Sequence, residues 1–386
     1  MLKIFLTGDN HFGKKYNRYP DVRERLIQSR YDSLERMVRK AESEGCELFA
    51  VTGDLFDSNV SVDKKTVQKA VEILAQFSGT VLVLPGNHDY YTGEEKVWRY
   101  FESALNAVDN NIVLLNEFRP YSFTCGGEQV MVYPAFCQSK HSRENNLGWI
   151  KEAEIARDGV INIGIAHGAI QGVTPDLKQE YFLMTEKELE SIPMDVWLIG
   201  HTHIPYPGDL KEDEDTFGHK IFNAGTHEQT DLSNNSEGLG FIITVRKEGT
   251  QANVGARKFI SGQIRYFDLK LTVHSHQWET LEEVLTEGIA KEAAWPKEDT
   301  VIRVSVSGTV CKEDYDTKER IAKEALDGFL AAEFDGSGLS EEITKERIWQ
   351  EFAQTSFAAR FLERLSDDPV KLQMAYELLQ TCRETE

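Results

Sequence analysis

Cysteine is scarce in this chain: five residues, at positions 46, 125, 137, 311 and 382, with no C-x-x-C pair among them. An odd, scattered set speaks against a thiolate zinc site and against a disulfide framework, and it fits a reducing cytosol. Long apolar runs are missing too, since none approaches the roughly 20 residues that a membrane helix needs. The opening Met1-Leu2-Lys3-Ile4-Phe5-Leu6 is too short for a secretory signal and runs straight into a polar motif. The expectation is a soluble, cytoplasmic protein with no membrane partner. Positive charge is also in deficit: 43 Lys and Arg against 64 Asp and Glu give a formal net charge of -21. A stand-alone nucleic-acid binder fits that balance poorly, because neutralising phosphates takes Lys and Arg.

The distribution of charge matters more than its sum. From Lys14 to Lys40 there are nine Lys and Arg against four acids, whereas the chain beyond residue 275 is acidic. The basic stretch is either a solvated helix face or an anion-attracting rim beside Asp9 and His11. At 386 residues the chain exceeds one average domain and can bury a large core without covalent staples.

Short β-rich apolar runs alternate with helical or loop segments, the pattern of an α/β layered core. The runs are Lys3–Thr7, Leu48–Thr52, Thr80–Leu84, Gln129–Tyr133, Val160–Ala166, Val196–Ile199, Lys220–Asn223 and Leu239–Val245. Apolar residues at helical spacing predict helices over Val22–Glu44 and Asp63–Phe77. A composition shift near Gly262 opens a small α+β region, with strands Ile264–Val273 and Val301–Gly308 and helices Thr280–Ala294 and Thr317–Glu333. Asp335-Gly336-Ser337-Gly338 reads as a turn-rich break, after which Glu341–Arg383 is helical in pattern and restarts at Pro369. The expected domains are therefore 1–262, 263–335 and 336–386.

Nearly every residue able to hold a metal falls in a turn just after one of the apolar runs. Asp9-x-His11 offers a carboxylate and an imidazole, and Asp54 follows Gly53, where glycine permits a sharp turn. Gly86-Asn87-His88-Asp89 sets an amide oxygen beside a histidine. In His201-Thr202-His203, alternate residues of extended backbone can serve neighbouring ions. With His167, five of the ten histidines lie at expected strand ends. Mixed oxygen and nitrogen ligands without thiolate suit Mn, Fe or Zn better than Mg or Ca, so a divalent metal is expected, Mn2+ first and Fe or Zn as alternatives. By contrast, His219 and the His274-Ser275-His276 pair lie outside this series and read as surface residues.

These blocks resemble the calcineurin-like metallophosphoesterase superfamily, with its D-x-H, G-D, G-N-H-[DE], H and G-H-x-H series, over residues 1 to about 230. The resemblance implies a four-layer β-sandwich flanked by helices and built around two metal ions. It implies that Asp9, His11 and His203 bind one ion, that Asn87, His167 and His201 bind the other, and that Asp54 bridges them. Such ions, about 3.5–4 Å apart, clamp a phosphate and acidify a bound water. Attack by a bridging hydroxide then needs a proton donor for the leaving alkoxide. His88 sits beside a ligand without having to be one, and so is the expected general acid. Asp89 is expected either to orient the His88 ring or to stabilise the turn.

A narrower resemblance is to the nuclease of the bacterial SbcCD complex and its eukaryotic counterpart, meiotic recombination protein eleven, and in the tail to the YhaO-type branch. It rests on Gly53-Asp54-Leu55-Phe56-Asp57, on Asn223-Ala224-Gly225-Thr226 with the later Glu237-Gly238-Leu239-Gly240-Phe241, and on the small domain after residue 262. It implies a Mn-dependent DNA exonuclease, with endonuclease action also open, acting with an SMC-like coiled-coil ATPase in double-strand-break repair. In that reading 1–262 is the nuclease domain, 263–335 caps the substrate and 336–386 docks the ATPase through Ile348, Phe352, Phe357, Phe361 and Leu365. A homodimer through catalytic-domain helices is implied as well, with Val22–Glu44 a candidate. Asn10 and Gly225-Thr226-His227 depart from the usual pattern. Lys14, Lys15, Arg18 and His227 are the expected substrate rim. The alternative is a phosphodiesterase or phosphatase acting on nucleotides or other small molecules.

Overall fold

The computed structural model describes residues 1–174, 176, 178–234, 236–274 and 279–384. Ser275 and His276 of the second His-x-His pair thus lie outside the described residues. Two compact units result: Met1–Tyr266 with Asp299–Val301, and Phe267–Glu298 with Ile302–Glu386.

In the first unit, alternation of apolar residues along each strand builds two sheets face to face. One runs in the order β4 (Ile112–Leu114), β3 (Thr80–Val83), β2 (Leu48–Val51), β1 (Leu2–Thr7), β11 (Leu239–Glu248), β12 (Gln251–Ile260) and β9 (Thr216–Phe217). The other runs β10 (Ile221–Phe222), β8 (Val196–Gly200), β7 (Val160–His167), β6 (Glu128–Ala135) and β5 (Tyr121–Cys125). Strands β1 to β4 are parallel, as are β6 to β8, while β11 closes antiparallel on β1 with Leu2 opposite Val245.

The side-chain period of two assigns the layers. Leu2, Ile4 and Leu6 of β1 meet Ile161, Ile163 and Ile165 of β7 in the core between the sheets. The alternate residues Phe5, Phe49 and Val83 point the other way. They pack beneath α1 (Arg23–Ser43), α2 (Lys64–Leu74) and α3 (Lys96–Leu105). On the far side, Tyr133, Trp197 and Ile199 pack with Ile150 of α4 (Gly148–Glu152) and Leu189 of α5 (Glu186–Ser191). This is the expected helix–sheet–sheet–helix sandwich. The apolar stripe of α1, Leu26, Leu34, Met37, Val38 and Ala41, is buried against its own sheet, so core packing accounts for it.

The second unit holds a three-stranded sheet, β13 (Arg265–His274), β14 (Thr300–Val310) and β15 (Ala331–Glu341), in that order. Helices α6 (Leu281–Glu292) and α7 (Lys312–Ala325) share its core. Two expectations fail here. The helix expected to reach Glu333 stops at Ala325, followed by a turn in which Gly328 takes φ 85°. The turn expected at residues 335–338 is instead the middle of β15. There a Cβ on Gly338 would sit 3.0 Å from Ser307 of β14, so glycine serves close strand approach rather than a turn. A boundary at 335–336 would cut this strand.

The tail forms α8 (Lys345–Glu351), α9 (Phe357–Arg364) and α10 (Pro369–Glu384), with a core of its own. Its expected docking face divides: Ile348 and Phe352 are buried in that core, whereas Phe357 and Phe361 stack on each other at 5.7 Å and are exposed.

Candidate metal centre

Five loops meet where parallel strands of both sheets end, the place where an α/β layer leaves backbone free to hold a ligand. Asp9 and His11 follow β1, Asp54 follows β2, Asn87 and His88 follow β3, His167 ends β7, and His201 and His203 follow β8. The loops are laced together by backbone: Asp9 N–H donates to Gly53 O at 3.0 Å and His11 N–H to Asp54 O at 2.9 Å. Of the seven described non-glycine residues with positive φ, four are ligand candidates: Asp9 (49°), His11 (46°), Asp54 (51°) and His201 (100°). Left-handed backbone disfavours ordinary side chains, so this strain is concentrated at the centre and held by the sheets around it. Gly53 itself has φ 100°, and a Cβ there would collide with the His167 ring, which explains the glycine before Asp54.

The side chains gather in two groups. Asp9, His11 and His203 form one, with His11 Nε2 3.2 Å from His203 Nε2 and His203 Nε2 3.9 Å from Asp9 Oδ1. Asp54, His167 and His201 form the other, joined by Asn87, whose Oδ1 lies 3.0 Å from both His167 Nε2 and His201 Nδ1. Asp54 Oδ2 lies 3.8 Å from His11 Nε2 and 3.5 Å from His167 Nε2, between the groups. The remaining ring nitrogen of His167 donates to Thr52 O at 2.8 Å, which turns Nε2 toward the other ligand candidates.

Electrostatics say what the groups can hold. Burial, with His167 adding, pushes His201 down to about 3. Burial pushes His203 down to about 4 and His11 well below the usual range. All three imidazoles are therefore neutral, with lone pairs free at neutral pH. Burial lifts Asp9 to about 8, partly offset by His167 and reinforced by Asp54. For Asp54, burial is outweighed by His167 and His11, and its carboxyl is held below the usual range. His167 is drawn up to about 9 against its burial by Asp54 and Asp9. Neither Asp9 nor Asp54 pairs with Lys or Arg among the described residues, although both are buried. Two carboxylates, an amide oxygen and four imidazoles in such a space fit two divalent cations.

His88 stands against this centre, its ring 4.9 Å from that of His11. Its backbone N–H donates to Asp54 Oδ1 at 2.8 Å, and its Nδ1 lies 3.1 Å from the carbonyl of Asp57. Asp57, rather than Asp89, therefore orients the ring. The Asp89 carboxylate turns inward instead, accepting Gly86 N–H at 2.7 Å and Phe56 N–H at 2.9 Å. Of the two expectations for Asp89, orienting the ring fails and stabilising the turn holds. Asp57 was missed because it works through its carbonyl; its carboxylate also lies 3.6 Å from His11 Nδ1.

The expected rim also divides. Lys15 and Arg18 are exposed and Lys14 is half-buried. His227 is fully buried instead, donating from Nε2 to Arg30 O at 2.9 Å and packing 5.5 Å from Phe12, so it is structural and touches no substrate. Arg30, central to the basic stretch, is buried as well and grips the carbonyl of Asn10. The Asn10 side chain is itself buried and donates to Thr7 Oγ1 at 3.3 Å, so this departure from the usual pattern packs into the frame. His219 pairs with Asp209 near the surface and, among the described residues, joins neither group.

Sequence comparison matches residues 2–205 to the family described as calcineurin-like phosphoesterase, a segment that contains all seven ligand candidates. No curated protein matches the chain. Among solved structures it is similar to calcineurin-like phosphoesterase YfkN from Bacillus subtilis, at 13% identity over 67% of this chain and 89% of that one, with TM-score 0.39. It is also similar to a dimetal phosphatase from Danio rerio, at 10% identity over 67% and 98%, with TM-score 0.36.

Proposed function

From the premise that this chain belongs to the calcineurin-like phosphoesterase family, we propose that it is a DNA phosphodiesterase. In this reading it is an exonuclease, with endonucleolytic cleavage also open to it, that uses Mn2+ and works with an SMC-like coiled-coil ATPase in double-strand-break repair. Metal-dependent phosphoester hydrolysis is the coarser part of the statement and follows from family and centre together.

When bound, the two ions supply Lewis-acid polarisation of the phosphoryl oxygens and an acidified water. The chain's own contribution is positional and protonic. The Asp57 carbonyl accepts a hydrogen bond from His88 Nδ1–H, which fixes the ring and leaves Nε2 as the atom that, when it carries a proton, gives it to the departing alkoxide. The Asp54 carboxylate holds the His88 backbone and so keeps donor and ligands in one frame.

The observation that carries DNA as substrate is a cleft of about 250 Å³ whose lining sets three cations, Lys14, Lys15 and Arg23, against one acid, Asp63. Burial, with Arg30 adding, presses the Lys14 ammonium below its usual range. The Arg23 Nε is shielded from water and has no hydrogen-bond partner among the described residues. Cations held this way suit a second phosphate of a polymer, whereas a small monoester has no use for them. The net charge of -21 supports weak grip by the chain alone and reliance on a partner.

The test is Mn2+-dependent cleavage of end-labelled single- and double-stranded DNA beside a chromogenic phosphodiester. Cleavage of DNA that weakens on Lys14→Ala, Lys15→Ala or Arg23→Ala supports the proposal. Turnover of the chromogenic ester with no DNA cleavage, with or without the ATPase, would assign the centre to small molecules.

A further inference from the structure

Two segments of the catalytic unit converge over the group formed by Asn87, His167 and His201, and neither metal ligation nor proton donation accounts for them. The Tyr181 ring lies 4.9 Å from that of His201, inclined at 33°, and the His141 ring lies 5.2 Å from Tyr181, inclined at 52°. With His167, 5.3 Å from His201, four rings lead outward from the floor of the centre. His167 is buried, Tyr181 half-buried and His141 exposed.

The backbone beneath these rings is closely specified. Tyr181 N–H donates to Asp176 at 3.1 Å, and its carbonyl accepts Ala169 N–H at 2.8 Å. Ser142 N–H donates to Glu180 O and Phe182 N–H donates back to Ser142 O, each at 2.8 Å, so the segments carrying His141 and Tyr181 are stitched together. Gln179 and Phe182 flank Tyr181 at φ 53° and 52°, left-handed values that cost free energy. Asn87 Nδ2 donates to Lys140 O at 3.3 Å, which ties the same segment to a metal ligand. This much strain and cross-linking sets an exposed imidazole and a half-exposed phenol beside the centre. Lys140 and Arg143, both exposed, bracket His141 along the chain.

We propose that His141 and Tyr181 form a stacking shelf for the nucleobase carried by the phosphate under attack. Aromatic faces among cations recognise bases without regard to their identity, because every base has a π face. A base paired inside a duplex has no free face to offer, so the shelf selects an unpaired or frayed terminal nucleotide. The inference rests on the nucleic-acid reading above and names the part of the substrate that this side of the centre receives.

The test is calorimetric binding of thymidine 5′-monophosphate and of inorganic phosphate to the Mn-loaded full chain, wild type and variants. Wild type should prefer the nucleotide, and Tyr181→Ala and His141→Ala should each cut that preference roughly tenfold, while Tyr181→Phe keeps it. A Tyr181 that merely steadies His201 would lower both affinities alike and leave the preference unchanged, which overturns the proposal. His141 is exposed, so its variant remains informative if Tyr181→Ala does not fold. Loss of preference in the variants together with no cleavage of end-labelled DNA would remove the nucleic-acid reading and leave a nucleotide shelf. Cleavage of DNA with the preference intact in both alanine variants would remove the shelf alone.

Discussion

Asp54 and His88 are joined by a hydrogen bond of 2.8 Å, in which the carboxylate that lies between the two candidate ligand groups accepts the backbone N–H of His88. One side chain thus reaches both candidate ligand groups and the backbone of the proposed acid, and mutation separates the two proposed roles.

Asp54→Ala should lose both ions and all hydrolysis, because it removes the oxygen lying 3.8 Å and 3.5 Å from a histidine of each group. Metal content by inductively coupled plasma mass spectrometry checks this. Full occupancy in the variant would end the bridging assignment.

His88→Gln should keep both ions and lower turnover by about 10²–10⁴, the range for loss of a positioned acid. The loss should be larger for alkyl phosphodiesters than for p-nitrophenyl esters, whose leaving group needs no proton. Equal losses on the two substrates would take the proton transfer away from His88.

Asp89→Asn should act on stability rather than on proton transfer. Its carboxylate satisfies the Gly86 and Phe56 N–H groups in a buried turn, and replacing one oxygen by an amide nitrogen leaves a donor facing a donor. A cost of about 1–3 kcal/mol is expected in denaturant unfolding. An unchanged midpoint with a shifted pH–rate profile would return Asp89 to the role of ring orienter.

Metal affinity should rise with pH between about 6 and 9. In the metal-free protein His167, at about 9, and Asp9, at about 8, hold protons that an incoming cation must displace. His201, at about 3, and His203, at about 4, are already neutral there and add nothing to the slope. Binding therefore releases protons, countable by calorimetry in buffers of differing ionisation enthalpy. A pH-independent affinity would contradict these positions.

The layered fold was legible because strand and helix periodicities are strong and the polar turns between them are sharp. The seven ligand candidates were legible because each follows an apolar run, and an α/β layer puts such turns on one edge. What the sequence hid was direction. Asp89 follows His88 in sequence, yet the turn sends its oxygens back toward Gly86 and Phe56. Asp57 acts on His88 through a carbonyl, which no residue type announces. His227 lies in a loop by pattern and is fully buried because Arg30 and Phe12 close over it. The Asp-Gly-Ser-Gly run of β15 has turn composition, but pairing with a neighbouring strand overrides local preference.

The antiparallel pairing of β1 with β11, Leu2 opposite Val245, has a consequence for how the protein is made. Strand β1 is synthesised long before β11, so one of its edges stays bare until about residue 245 has followed it. Asp9 and His11 are synthesised early but acquire their last partner, His203, only after most of the catalytic unit has emerged. Metal capture is thus a late event of biogenesis, and a nascent chain that stops short carries an open strand edge without a complete metal centre.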